Sequence, residues 1–148
     1  MTKHHVTRIL PWTPDQLFHL VGDVRRYPEF VPWINALTAT RPIRQADGSD
    51  HLSAEATVGF SIVNERFATR VVRHPDQRLI EVKLIRGPFR HLANEWRFVA
   101  HDQGTEVLFD IDFEFKSRFL DAMLAANFER AVHKLITCFE DRARALYG

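Results

Sequence analysis

The chain has a single cysteine, Cys138, so no disulfide can form within it. It has no apolar run near the roughly 18 residues that a membrane-spanning helix needs. Its first ten residues, MTKHHVTRIL, have neither the apolar core of a secretion signal nor the Arg- and Ser-rich pattern of a transit peptide. Together these absences point to the reducing cytoplasm. A charge surplus is missing too: 20 Lys and Arg face 19 Asp and Glu, giving a net charge of +1. The two signs are interleaved, so nothing argues for DNA as a partner. No Gly-rich loop follows a strand, no serine sits in a nucleophile motif, and the histidines lack metal-ligand spacing. His133 and Cys138 share a helical stretch but lie five apart, off a common face. His133 reads as a solvated residue and Cys138 as a small core one. No catalytic residue, no metal and no cofactor is expected.

The 148 residues are 45% apolar and 26% charged, the composition of one ordinary globular domain spanning 1–148. A chain of this length buries roughly 70% of its unfolded surface, enough for a real core. Residues 3–10 read as a strand closed by Pro11. In TPDQ, Thr13 is an N-cap, Pro14 the first helical residue and Gln16 the partner three positions on, a capping box. Leu17, Leu20, Val21 and Val24 then recur at helical spacing, predicting a helix from Pro14 to about Val24.

From Ala36 to Phe115 the period changes to two. Leu52, Ala54, Ala56, Val58 and Phe60 share one face, as do Val107, Phe109, Ile111, Phe113 and Phe115. With LTATRPIR, IVNERFATRVV, RLIEVKLI and LANEWRFVA, about six strands form an antiparallel meander with one wet and one dry face. Asp110, Asp112 and Glu114 fall on the wet face as solubilising residues. The dry face needs a cover, and residues 117–146 supply it. Ser117 stands as N-cap, and Leu120, Leu124, Phe128, Ala131, Leu135 and Phe139 make the stripe. Such a helix, roughly 43 Å long at 1.5 Å per residue, must lie diagonally across the sheet.

Two features fit a site. The first is VRRYPEFVPWINA, residues 24–36, where Tyr27, Phe30, Val31 and Trp33 crowd between two prolines. Pro28 and Pro32 each remove a donor and disfavour helix before them, so this stretch holds at most one short helical turn and is no central strand. The second is polarity on the dry face: strand parity puts Glu65 with Phe67, and Asn94 with Leu92 and Trp96. Polar groups among apolar walls suit a small-molecule pocket. Each also has an ordinary structural reading, Glu65 wetted at a strand end and Asn94 bonded to a neighbouring carbonyl.

DVRRYPEFVPW, ERFATRV and GPFRHLANEWRF, set in this order of elements, resemble the coenzyme Q-binding START-domain family. That family lies within the START-like, polyketide cyclase-like superfamily and includes bacterial ribosome association toxins. Asn35 departs from its pattern. The resemblance implies an α+β helix-grip fold: a curved antiparallel sheet wrapped around a long C-terminal helix, with two short N-terminal helices. It implies a non-enzymatic carrier of coenzyme Q (ubiquinone) or a similar prenyl lipid, supporting respiratory electron transport. Carried over, Tyr27, Phe30, Val31 and Trp33 line one side of a cavity mouth. Gly87, Pro88, Phe89 and Leu92 form the opposing loop, with Trp96 deeper. Phe60, Phe67 and Leu84 of the sheet and Leu124 and Phe128 of the covering helix complete the expected lining. Trp33 and Phe89 are expected to be partly exposed as a lip, the alternative being aromatics that plug the core. Affinity is expected from apolar burial more than from Glu65 or Asn94. The implied partners are the hydrophobic ligand and a peripheral contact with the inner membrane or with a quinone-synthesising or respiratory complex. Two alternatives stay open: a toxin-like protein that binds a ribosomal subunit and blocks subunit association, and a cyclase- or hydratase-type enzyme.

Overall fold

The first strand signal forms β1 (Thr2–Leu10), and it ends where Pro11 has no amide to donate. The computed structural model describes residues 2–60 and 63–148, and of Thr2, Phe60 and Val63 the backbone alone. Thr13 opens α1 (Pro14–Gly22): its hydroxyl accepts from the Gln16 amide at 3.1 Å, and its own amide donates to Gln16 Oε1 at 3.0 Å. The capping box is thus complete, and α1 turns Leu17, Phe18, Leu20 and Val21 inward.

α1 stops two residues short of the expected Val24. An α-helix continued through Pro28 would lack the amide that bonds the Val24 carbonyl, and Tyr27 before a proline resists α geometry. The chain tightens instead into a 3-10 helix, Val24–Glu29, which is two turns long rather than the single turn expected. The motif's far end also differs, for β2 (Ile34–Ala39) begins inside it as an edge strand. Asn35 falls in the register shift between Ile34 and Ala36. LTATRPIR does not form one strand. Pro42 interrupts it, leaving β2 and the two-residue β3 (Ile43–Arg44), both paired with β4 (Asp50–Phe60).

β5 (Val63–His74), β6 (Leu79–Arg86), β7 (Phe89–His101) and β8 (Gly104–Phe115) follow as consecutive antiparallel neighbours. The sheet runs β1-β8-β7-β6-β5-β4-β2, so the first strand lies beside the last. Parity holds as read: Leu52, Ala54 and Ala56 on β4 and Val107, Phe109, Phe113 and Phe115 on β8 are buried. The wet-face acids are not free. Asp110 meets His5 at 2.6 Å, Asp112 meets His91 at 2.9 Å, and Glu114 lies 4.0 Å from the same imidazole.

The long helix α2 (Arg118–Tyr147) is capped by Ser117, whose hydroxyl accepts from the Leu120 amide at 3.2 Å. Its 30 residues reach about 45 Å. Val132, Ile136, Phe139 and Ala143 are buried, and all lie from the middle of the helix onward. In the first half, Leu120, Met123, Leu124 and Phe128 remain half-exposed. One end of the helix is sealed onto the sheet, and the other rests lightly on it.

Candidate ligand-binding site

The sealed end is built on Phe139. The rings of Tyr27 and Phe30 each meet it edge-on at 5.2 Å, and Trp96 meets it at 5.3 Å. The Tyr27 hydroxyl donates to the Val21 carbonyl, and burial pushes its phenol pKa well up, with Asp23 adding to the effect. The Arg142 guanidinium stacks 5.2 Å over Phe30 and donates to Glu29 at 2.8 Å. Val31 is wholly enclosed. Val31 and Trp96 are core here, and the half-buried Tyr27 and Phe30 pack against that core at the second half of α2. The aromatic-proline stretch plugs that core, and its prolines shape a plug.

The light end gathers the rest. Phe89, Leu92, Phe113 and Phe115 are buried together, with Phe67, Leu84, Leu120, Leu124 and Phe128 half-buried around them. Phe89 stacks on Phe115 at 4.5 Å and meets Phe67 edge-on at 5.3 Å. Phe89 was expected at a partly exposed lip, but it is only 8% exposed. It is drawn in because β7 places it opposite Phe115, stacked ring on ring. The turn before it is tight: Gly87 has φ +150°, and a Cβ there would lie 2.5 Å from the Phe67 Cβ. The Pro88 carbonyl accepts from the Lys116 amide at 2.8 Å, fixing the turn to the start of α2. Trp33 is half-buried at the same end of the sheet, its carbonyl accepting from the Gly59 amide at 2.9 Å. The side chain of Phe60 lies outside the described residues.

Phe113, Phe115, Ile111 and Leu120 also belong to this apolar end, beyond the lining that the resemblance implies. Register was the signal that could have found them, since β8 carries Phe113 opposite Leu92 and Phe115 opposite Phe89. The exposed aromatic ring here is Phe119, 67% exposed between Arg118 and Leu120 in the first turn of α2.

Asn94 is a polar group on this inner surface. It pairs across β7 with Val82 and Ile111, both packed against the core. Its Oδ1 is buried and has no hydrogen-bond partner among the described residues. Glu65 is half-buried opposite Val58. A hollow of about 400 Å³ crosses β1, β6, β7 and β8, but no residue of α2 reaches it. The outward residues Lys3, His5, Glu81, Lys83, Glu95 and Asp110 line it together with His4, Val82, Asn94 and Ile111. Among the described residues, no three His, Cys, Asp or Glu side chains converge to hold a metal. Burial raises the Cys138 thiol pKa, and Asp141 raises it further, which disfavours a reactive thiolate.

A curved antiparallel sheet gripping a long C-terminal helix, with an apolar surface beneath that helix's first turns, defines a START-like helix-grip protein. A START superfamily protein from Mycobacterium smegmatis shares this fold, with a TM-score of 0.78 at 20% identity over 98% of this chain and 97% of that one. The chain belongs to the polyketide cyclase/dehydrase and lipid transport family, whose profile matches residues 10–140. It is 35% identical over 147 residues to the ribosome association toxin RatA of Rickettsia prowazekii, covering 97% of each chain. It is 28% identical to the mitochondrial coenzyme Q-binding protein COQ10 homolog B of Xenopus laevis, covering 99% of this chain and 59% of that one. The solution structure of the 18 kDa protein CC1736 from Caulobacter crescentus is similar at 53% identity and a TM-score of 0.85, covering 100% of this chain and 99% of that one. No helix among the described residues is long and apolar enough to cross a membrane.

Proposed function

We propose that this protein binds a polyisoprenoid quinone, or a prenyl lipid like it, between the sheet and the first half of α2, and does no chemistry on it. The observation that carries this is the asymmetry of α2. Its second half is sealed, whereas Leu120, Leu124 and Phe128 stay half-exposed over Phe67, Leu84 and Phe113. Apolar surface left in water costs roughly 25 cal/mol per Å², and a hydrocarbon tail sliding under the helix would remove that cost. The similarity to a coenzyme Q-binding protein points to the same ligand class. Phe119, with Lys116 and Arg118 exposed beside it, suits contact with a membrane from which such a lipid is drawn. A catalytic reading has less support, because the described histidine–carboxylate pairs lie on the wet face or near α2's surface, away from the apolar end.

A second reading rests on the curated relatives called ribosome association toxins, which match nearly the whole chain. On that reading the partner is a ribosomal subunit. Organic extraction of the purified protein followed by mass spectrometry tests the first reading, and a co-purified quinone supports it. An extract free of prenyl lipid, with co-sedimentation of the protein and ribosomal subunits at physiological salt, would favour the second.

A further inference from the structure

The inner face under Phe128 carries a second polar side chain besides Asn94. His5 turns outward to Asp110, so its neighbour His4 turns inward, where its imidazole meets Phe128 edge-on at 5.7 Å. The registers place His4 opposite Ile111, and Ile111 opposite Asn94. His4, Ile111 and Asn94 therefore form one inward row across β1, β8 and β7, with a polar group at each end and an apolar side chain between. Neither the His4 imidazole nor the Asn94 amide side chain has a hydrogen-bond partner among the described residues, and Asn94 Oδ1 is enclosed. A buried amide left unpaired is destabilising unless something else supplies the bond.

We infer that His4 and Asn94 form a two-ended clamp for the polar head of the ligand, an inference that rests on the proposed lipid-binding role. Two strand spacings separate their backbones by about 9.6 Å. A ring with an oxygen at each end and a hydrogen bond of about 2.8 Å on either side spans about 11 Å, so the two side chains would hold it above Ile111 with their tips slightly farther apart than their backbones. Ile111 lies beneath the ring and Phe128 beside it. The ligand class is a ring bearing oxygens at opposite positions, as in a 1,4-quinone. Asn94 offers both an amide donor and a carbonyl acceptor, and a neutral imidazole offers one of each. The clamp thus serves the oxidised ring, which only accepts, and its reduced diol, which also donates. The tail leaves along Leu124 toward the open end.

The test compares two probes on lipid-free full-length protein, a short-tailed ubiquinone and an isoprenoid hydrocarbon of matched length with no head. The wild type should prefer the quinone. His4→Leu and Asn94→Leu should each lower quinone affinity about tenfold, as expected for a lost hydrogen bond in an enclosed site, and leave the hydrocarbon unchanged. Their double variant should show no preference between the probes. Equal quinone affinity in wild type and both variants would overturn the clamp, as would a parallel loss for both probes, which marks a packing role. If the wild type binds neither probe, the lipid-binding reading itself fails and the clamp falls with it.

Discussion

Truncating one apolar residue at each end of α2 separates a helix sealed along its whole length from one sealed at one end. Phe139 is 3% exposed and contacts three aromatic rings at 5.2–5.3 Å. Replacing it with alanine should cost near the upper end of the usual range, about 5 kcal/mol, because the transfer loss, the cavity and the ring pairs all count. Leu124 is half-buried. Leucine to alanine removes about three carbon groups at about 0.8 kcal/mol each, and half burial brings the loss to about 1.2 kcal/mol. Little cavity term is added, since water already reaches the site. Urea denaturation of the lipid-free variants measures both, with an unchanged slope confirming that the unfolded states are comparable. A Leu124→Ala loss within about 1 kcal/mol of the Phe139→Ala loss would refute the reasoning. The first half of α2 would then be sealed core with no place for a tail.

Gly87→Ala should destabilise the fold by about 2–3 kcal/mol, since it combines a backbone angle that side chains avoid with a clash against Phe67; a denaturation midpoint equal to wild type would contradict that turn geometry. Phe119→Ser should slow lipid uptake from liposomes while leaving stability within about 0.5 kcal/mol, because the ring is already in water. A large stability loss with unchanged uptake would remove Phe119 from membrane contact. Arg26 and Arg142 hold the Glu29 carboxyl below its ordinary 4.5, so the native state binds fewer protons there than the unfolded chain. That stabilisation is complete above pH 4.5 and is lost as the pH falls through the lower native value. The melting-temperature gap between wild type and Arg142→Gln should therefore narrow on acidification, and a gap independent of pH would show that Arg142 acts by stacking on Phe30 alone.

Much of the architecture was written in local pattern. The Thr13–Gln16 box starts a helix because those side chains satisfy that helix's own first amides, whatever surrounds it. Alternation along residues 104–115 set which side chains of β8 are buried, and the stripe of α2 set which side of the helix faces the sheet. Proline placed breaks correctly in kind, but the 3-10 helix at Val24–Glu29 and the split at Pro42 depend on what geometry the chain adopts once the α or strand ladder is denied. Contacts distant in sequence lay beyond that reach. Phe89 reads as a loop aromatic until β7 is registered against β8, and only then does Phe115 cover it. Tyr27 and Phe30 read as one side of a cavity mouth until α2 folds back, far along the chain, to set Phe139 against them. Alternation puts His4 on the face of Val6 and Leu10, but only the pairing of β1 with β8 sets it opposite Ile111. Sequence period fixes which way a side chain points relative to its own strand or helix. What it meets there depends on the register and the docking of the long helix, and both are set by the packing of the whole sheet.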